Sequence, residues 1–140
     1  DNRRDFEWEK IGLDNDVKPG YTLEKEIFYH TKKLISLRRK HEAFYSGSFV
    51  CLYVDYFLLA YLSYSFDSVA ITVIHNGTLP MGGYVNIEIE RNKKTPTRIK
   101  KKLRNSLLSC RLTGEKVYVT DGSFKIRMNR KSAFVFMPIS

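Results

Sequence analysis

Residues 48–77, SFVCLYVDYFLLAYLSYSFDSVAITVIHNG, decide the fold. They hold three short runs, 49–54, 57–64 and 69–74, rich in β-branched and aromatic residues. Asp55 and the triplet Phe66-Asp67-Ser68 separate the runs, and each run is too short for a typical helix. The run 69–74 is apolar on both faces, which predicts a central strand. With Asp55, Ser63 and Asp67 interrupting them, the runs fall well short of the roughly 20 apolar residues that span a bilayer.

Further strands follow downstream. In 84–90, Val85, Ile87 and Ile89 alternate with Asn86, Glu88 and Glu90. Val117 and Val119 mark another strand, and Asp121-Gly122 is a hairpin signal. Phe124, Ile126 and Met128 alternate with Lys125, Arg127 and Asn129, and 133–137 is a nearly all-apolar strand. Short strands punctuated by turns predict a mainly β architecture, an antiparallel Greek-key sandwich.

Upstream the period changes. Residues 22–44 read as one helix, with Thr22 as N-cap, Glu24 and Glu26 in the first turn, and Arg38, Arg39 and Lys40 near the end. Leu23, Ile27, Leu34 and Leu37 form an apolar stripe that Phe28 and Ile35 widen, so the helix needs a cover. Ser46-Gly47 ends it. Residues 1–20 read as loop, anchored by the aromatic pair Phe6 and Trp8. A start at Asp1 without methionine reads as the interior of a longer protein.

The 140 residues suit one domain with an appended piece of another, and 43% hydrophobic with 28% charged residues is ordinary globular composition. The net charge is +9, unevenly placed: residues 91–104 carry eight basic side chains and no acidic one. That is a footprint for a polyanion. The segment has no interleaved aromatics, and Thr95-Pro96-Thr97 interrupts it, so a solvated basic edge strand is the expectation, with nucleic acid only a rival. Cys51 and Cys110 sit in apolar settings and read as two buried free thiols; their pairing stays open. His30, His41 and His75 have no metal-ligand spacing, and His41 reads as a helix C-terminal cap. Asn76-Gly77-Thr78 matches a glycosylation acceptor and reads more simply as a turn. Tyr45, Tyr53, Tyr56, Tyr61, Tyr64, Tyr84 and Tyr118 suit either half-buried sheet positions or a sugar-stacking surface.

Three segments, in order, resemble glycoside hydrolase family thirteen, the α-amylase family. Asp1-Asn2-Arg3-Arg4-Asp5-Phe6-Glu7-Trp8 looks like the loop after the eighth barrel strand. Leu34-Ile35-Ser36-Leu37-Arg38-Arg39-Lys40-His41-Glu42-Ala43, running on to Gly47, resembles the end of the last barrel helix. Leu107-Leu108-Ser109-Cys110-Arg111-Leu112-Thr113-Gly114 and Ala133-Phe134-Val135-Phe136 resemble closing strands of the carboxy-terminal sandwich, domain C. Asp5 and Glu42 stand where the family prefers proline, and Ser63 where arginine is common. The Asn-Arg-Arg start is similar to neopullulanase, cyclomaltodextrinase and maltogenic amylase types.

The resemblance implies residues 1–46 as the loop and last helix of a (β/α)8 barrel, and 47–140 as domain C. It implies a parent that acts on α-glucans with retention, through an aspartate nucleophile, a glutamic acid and a supporting aspartate. All three lie upstream of the eighth strand, so this chain carries no catalytic residue. Arg3 corresponds to an arginine at the mouth of the cleft, where it shapes substrate subsites or pins the loop by an ion pair. No cofactor or metal is expected in the chain; any calcium belongs to the parent. The expected partners are the missing barrel and its glucan, or a second copy through helix 22–44, with no membrane and no nucleic acid. The stripe is otherwise expected to fold back onto the sandwich. Alternatives are a carbohydrate-binding sandwich module or a basic nucleic-acid-binding domain. A cytoplasmic location is expected, though no residue fixes the compartment.

Overall fold

A computed structural model describes residues 23–139 and divides after Leu37 into two units, each taken by itself. Arg3, Phe6, Trp8 and Thr22 lie outside the described residues. Helix α1 is Leu23–Lys40, with Glu24 and Glu26 in its first turn and Arg38, Arg39 and Lys40 in its last, matching charge to the helix dipole. None of its residues is buried. The helix stops four residues earlier than the sequence predicts. His41 is extended (φ −124°, ψ 116°), and Glu42–Phe44 form a separate 3₁₀ turn. That turn is held from outside the helix, by the Ala43 N–H donating to Ser68 Oγ at 2.8 Å. His41 directly follows the last residue of α1 and is the N-cap residue of the 3₁₀ turn, where its side chain makes no capping bond; its ring lies edge-on to Phe44 at 6.2 Å. Partial burial, then Arg111 and Lys40, lower its pKa.

The second unit is the sandwich. Its strands are β1 (Ser48–Val54), β2 (Leu58–Tyr64), β3 (Val69–His75), β4 (Val85–Glu88), β5 (Leu107–Cys110), β6 (Lys116–Tyr118), β7 (Ser123–Ile126) and β8 (Ser132–Pro138). Helix α2, Thr97–Leu103, lies between β4 and β5. One sheet has the order β1-β2-β3-β8-β5-β6, and a second pairs β4 with β7. Every pairing is antiparallel. The last strand returns between β3 and β5, giving the crossed connections expected of a Greek key.

β3 is central as its double apolar face predicts, and only Ile74 of its seven residues is exposed. Leu62 lies opposite Ile71, and Val73 opposite Phe134, so alternate side chains from β2, β3 and β8 share one face. They join Ile87, Phe124 and Ile126 in one core cluster. Phe124 and Phe136, one from each sheet, meet edge-to-face at 5.9 Å.

Three expectations change. The basic segment is not an edge strand: α2 starts from Pro96, and its Ile99 and Leu103, four residues apart, are both buried. Proline lacks an N–H to leave unbonded at a helix start, so here it opens the element. Asp121-Gly122 makes the expected turn, with φ of 50° and 81°, but it links β6 and β7 in different sheets, with only the bridge Thr120–Ser123 across it. Cys110 is buried, whereas Cys51 is exposed, and both are free. Cys51 lies on β1 at the sheet edge, where the register shifts between Cys51 and Tyr53. There Asn92 Nδ2 donates to the Cys51 carbonyl at 3.0 Å and blunts the edge.

Candidate functional site

Among the described residues, the two acidic side chains at the end of β4 and just beyond it are each engaged by an arginine. Arg3, with Asp5 and Glu7 of the same segment, lies outside the described residues. Glu88 faces Arg91 at 3.5 Å, and Glu90 accepts from Arg104 at 2.6 Å and 3.2 Å. The Arg104 guanidinium holds the Glu90 carboxyl below its usual range. A general acid needs the opposite, a carboxyl kept protonated by an apolar setting. Among the described residues no group of three or more His, Cys, Asp or Glu is placed to hold a metal ion.

The basic segment separates into two kinds of side chain. Arg91 and Arg104 are in the ion pairs just described. Arg98 donates to the Phe66 and Ser65 carbonyls at 3.3 and 3.2 Å and lies over the Phe66 ring at 5.8 Å. These arginines fasten loops together. Lys101 and Lys102 project from α2, since Ile99 and Leu103 take its inner face, and Lys93 and Lys94 are exposed beside it.

A different feature brings the chemistry-bearing side chains of the sandwich together. An open depression of about 640 Å³ lies where the β1–β2 turn meets the loop 77–84. Asp55 builds its first wall. Its Oδ1 accepts from the Phe57 and Leu58 N–H groups at 2.8 and 2.7 Å, and its Oδ2 from the Tyr53 hydroxyl at 2.8 Å. The Phe57 and Leu58 donors come first among the causes holding its carboxyl below the ordinary aspartate range. This short polar side chain fixes the tight turn. The next residue, Tyr56, is pushed outward, 92% exposed, with Phe57 edge-on at 4.9 Å.

The second wall is the loop 77–84. It is tied down at two points: Lys131 N–H donates to the Gly77 carbonyl at 3.0 Å, and Met81 N–H donates to the Met128 carbonyl at 3.0 Å. Arg127 Nε adds a bond to the Met81 carbonyl at 3.2 Å. Beyond Met81 the loop presents Tyr84, 69% exposed, to the same depression. At the floor is His75, buried, its Nδ1 2.8 Å from the Asn129 carbonyl. A carbonyl only accepts, so Nδ1 is the donor of this bond. Of the seven tyrosines noted in the sequence, Tyr56 and Tyr84 line this depression. Spacing alone hid that, because 28 positions separate them and only the β2–β3 pairing, with the Asn76 N–H donating to the Phe57 carbonyl at 2.8 Å, closes the distance.

No family model matches the sequence, and no curated protein matches it. Solved structures do. The chain is similar to an AmyP variant in complex with maltotriose, at TM-score 0.68 and 13% identity, over 91% of this chain and 24% of that one. It is similar to the α-amylase of Geobacillus thermoleovorans complexed with acarbose, at TM-score 0.67 and 18% identity, over 89% and 24%. The Nostoc punctiforme debranching enzyme matches at TM-score 0.59 and 22% identity, over 89% and 25%. The chain spans about a quarter of the length of these structures. The resemblance to the α-amylase family is therefore one of fold: a mainly β, antiparallel sandwich preceded in the sequence by a helix.

Proposed function

We propose that this chain is the carboxy-terminal support domain of an enzyme acting on α-glucans, with the chemistry carried by a barrel that precedes it. Residues 1–46 are then the end of the barrel, and 47–140 are domain C. One observation carries the reading: a fold match over 91% of this chain takes up 24% of an amylase structure. The site chemistry agrees, since the described carboxylates with shifted pKa values, Asp55 and Glu90, are both held low, against what acid catalysis asks. Arg3 belongs to the loop at the mouth of the barrel cleft. Helix α1, which buries none of its residues, is covered by the rest of the barrel in the full enzyme. Alone, it drives self-association through the stripe Leu23, Ile27, Leu34 and Leu37, which Ile35 widens.

The test is to express the coding sequence extended upstream beside the 140-residue chain, and to assay both on soluble starch and maltooligosaccharides. The extended product should cleave with retention, while the chain alone is inactive. Cleavage by the chain itself, or upstream sequence that encodes no barrel, would overturn the reading.

A further inference from the structure

We propose that the depression between the Asp55 turn and the loop 77–84 is a binding surface for a short segment of neutral α-glucan, with sugar rings stacked on Tyr56 and Tyr84. The α-linkage in this statement rests on the function proposed above; the sugar surface itself rests on geometry.

The first observation is the rings. Tyr56 and Tyr84 are among the most exposed large side chains of the sandwich, and both line one depression. A single exposed ring means little, but two facing one hollow of about 640 Å³ fall within the size range of small-ligand sites. The flat faces of such rings suit the C–H faces of a pyranose, and their hydroxyls suit its rim.

The second observation is preorganisation. Asp55 holds the β1–β2 turn with three hydrogen bonds, so Tyr56 is presented without a large ordering cost. Gly77 is anchored by Lys131, and Met81 by Met128 and Arg127. Between and beyond these ties, the backbone N–H groups of Thr78, Leu79, Gly82, Gly83 and Tyr84 donate to no protein acceptor among the described residues. Side chains at Gly82 and Gly83 would meet nothing within 4 Å, so packing does not require glycine there. Their absence keeps the backbone open to hydroxyl groups.

The third observation is charge. The chain is strongly basic, yet no lysine or arginine lines this hollow. Its one carboxylate, Asp55, is already satisfied, and His75 is bonded to Asn129. An anionic occupant finds no cation there, and a cationic one finds no free carboxylate. A neutral ligand rich in hydroxyls, with apolar ring faces, fits both the rings and the unpaired backbone.

The experiment is isothermal titration of the 140-residue chain with maltoheptaose and with cellohexaose, alongside sedimentation at each concentration. Maltoheptaose should bind in the millimolar range or tighter, with cellohexaose at least tenfold weaker. Tyr56→Ala and Tyr84→Ala should each weaken binding tenfold or more at unchanged melting temperature, while Tyr118→Ala, on an exposed tyrosine elsewhere, leaves it intact. No binding of maltoheptaose, equal binding of cellohexaose, binding indifferent to both tyrosines, or a dimer that Tyr56→Ala dissociates would each overturn the proposal. The upstream-extended product separates the two readings. If it cleaves starch while the chain binds no sugar, only the surface falls. If the chain binds while no barrel exists upstream, only the support role falls.

Discussion

Gly47 sits at the junction between the 3₁₀ turn and β1, and alanine there should destabilise the sandwich severely. A Cβ at Gly47 would lie 2.5 Å from the Tyr64 carbonyl oxygen, 2.7 Å from that of Ala43 and 2.9 Å from the Ala43 Cα. The shortest is about 0.9 Å short of the 3.4 Å at which ordinary contact begins. All three neighbours are backbone, so no side-chain rotation relieves them. Either the 3₁₀ turn moves, stretching the Ala43 N–H bond to Ser68, or the end of β1 lifts from Tyr64, which pairs with Ser48. Overpacking of this kind costs about 1–3 kcal/mol, and losing one hydrogen bond adds about 1 kcal/mol. The gain from restricting the unfolded chain returns only about 0.4–1 kcal/mol. The net loss is about 1–3.5 kcal/mol, which lowers the melting temperature of a domain this size by roughly 4–15 °C. Thermal unfolding followed by far-UV circular dichroism measures it. Because the clash is with main-chain atoms, adding Tyr64→Ala should not rescue Gly47→Ala. An unchanged melting temperature, or rescue by the Tyr64 truncation, would refute the reasoning.

Other outcomes follow from the same contacts. Leu62, fully buried between β1 and β3, should cost about 2–5 kcal/mol on truncation to alanine, read as a lower urea midpoint with the slope retained. Asp55 has its carboxyl pKa depressed in the fold, so its contribution is complete above the ordinary aspartate value of about 3.9 and is lost as the pH falls through its lower folded value. The wild-type chain should therefore lose more stability than Asp55→Asn on acidification below about pH 4; parallel pH curves would refute it. In native buffer a thiol reagent should titrate Cys51 promptly and Cys110 only after unfolding, and two fast thiols would contradict the burial of Cys110.

How much of this was legible in the residues varies by element. The run of β3 declared itself, because a seven-residue strand buried on both faces leaves few polar positions, and β2 buries one face beside it. The alternation in β4 and β7 was as clear, and those strands pair along their whole length, Val85 opposite Ile126 and Ile87 opposite Phe124. α2 was obscured by its own charge. Lys100, Lys101 and Lys102 outweigh the two residues that place the helix, Ile99 and Leu103, whose burial shows only once the core they close is present. Cys51 misled for a related reason. Its neighbours are apolar, but β1 is an edge strand, and which of its faces meets solvent depends on what packs beyond it.

Local pattern was enough to set the class of the protein: short strands at a period of two, turns between them, an amphipathic helix before them in the chain, and segments resembling one enzyme family in their order. Those features are local, set by hydrophobic spacing and by turn residues within a few positions of each other. The tertiary structure alone decided that β8 inserts between β3 and β5, that the Asp121-Gly122 turn joins two sheets, and that Tyr56 and Tyr84 share one hollow. Each of these depends on pairing between residues far apart in the chain, and the energy of such pairing resides in the closed core rather than in any one segment.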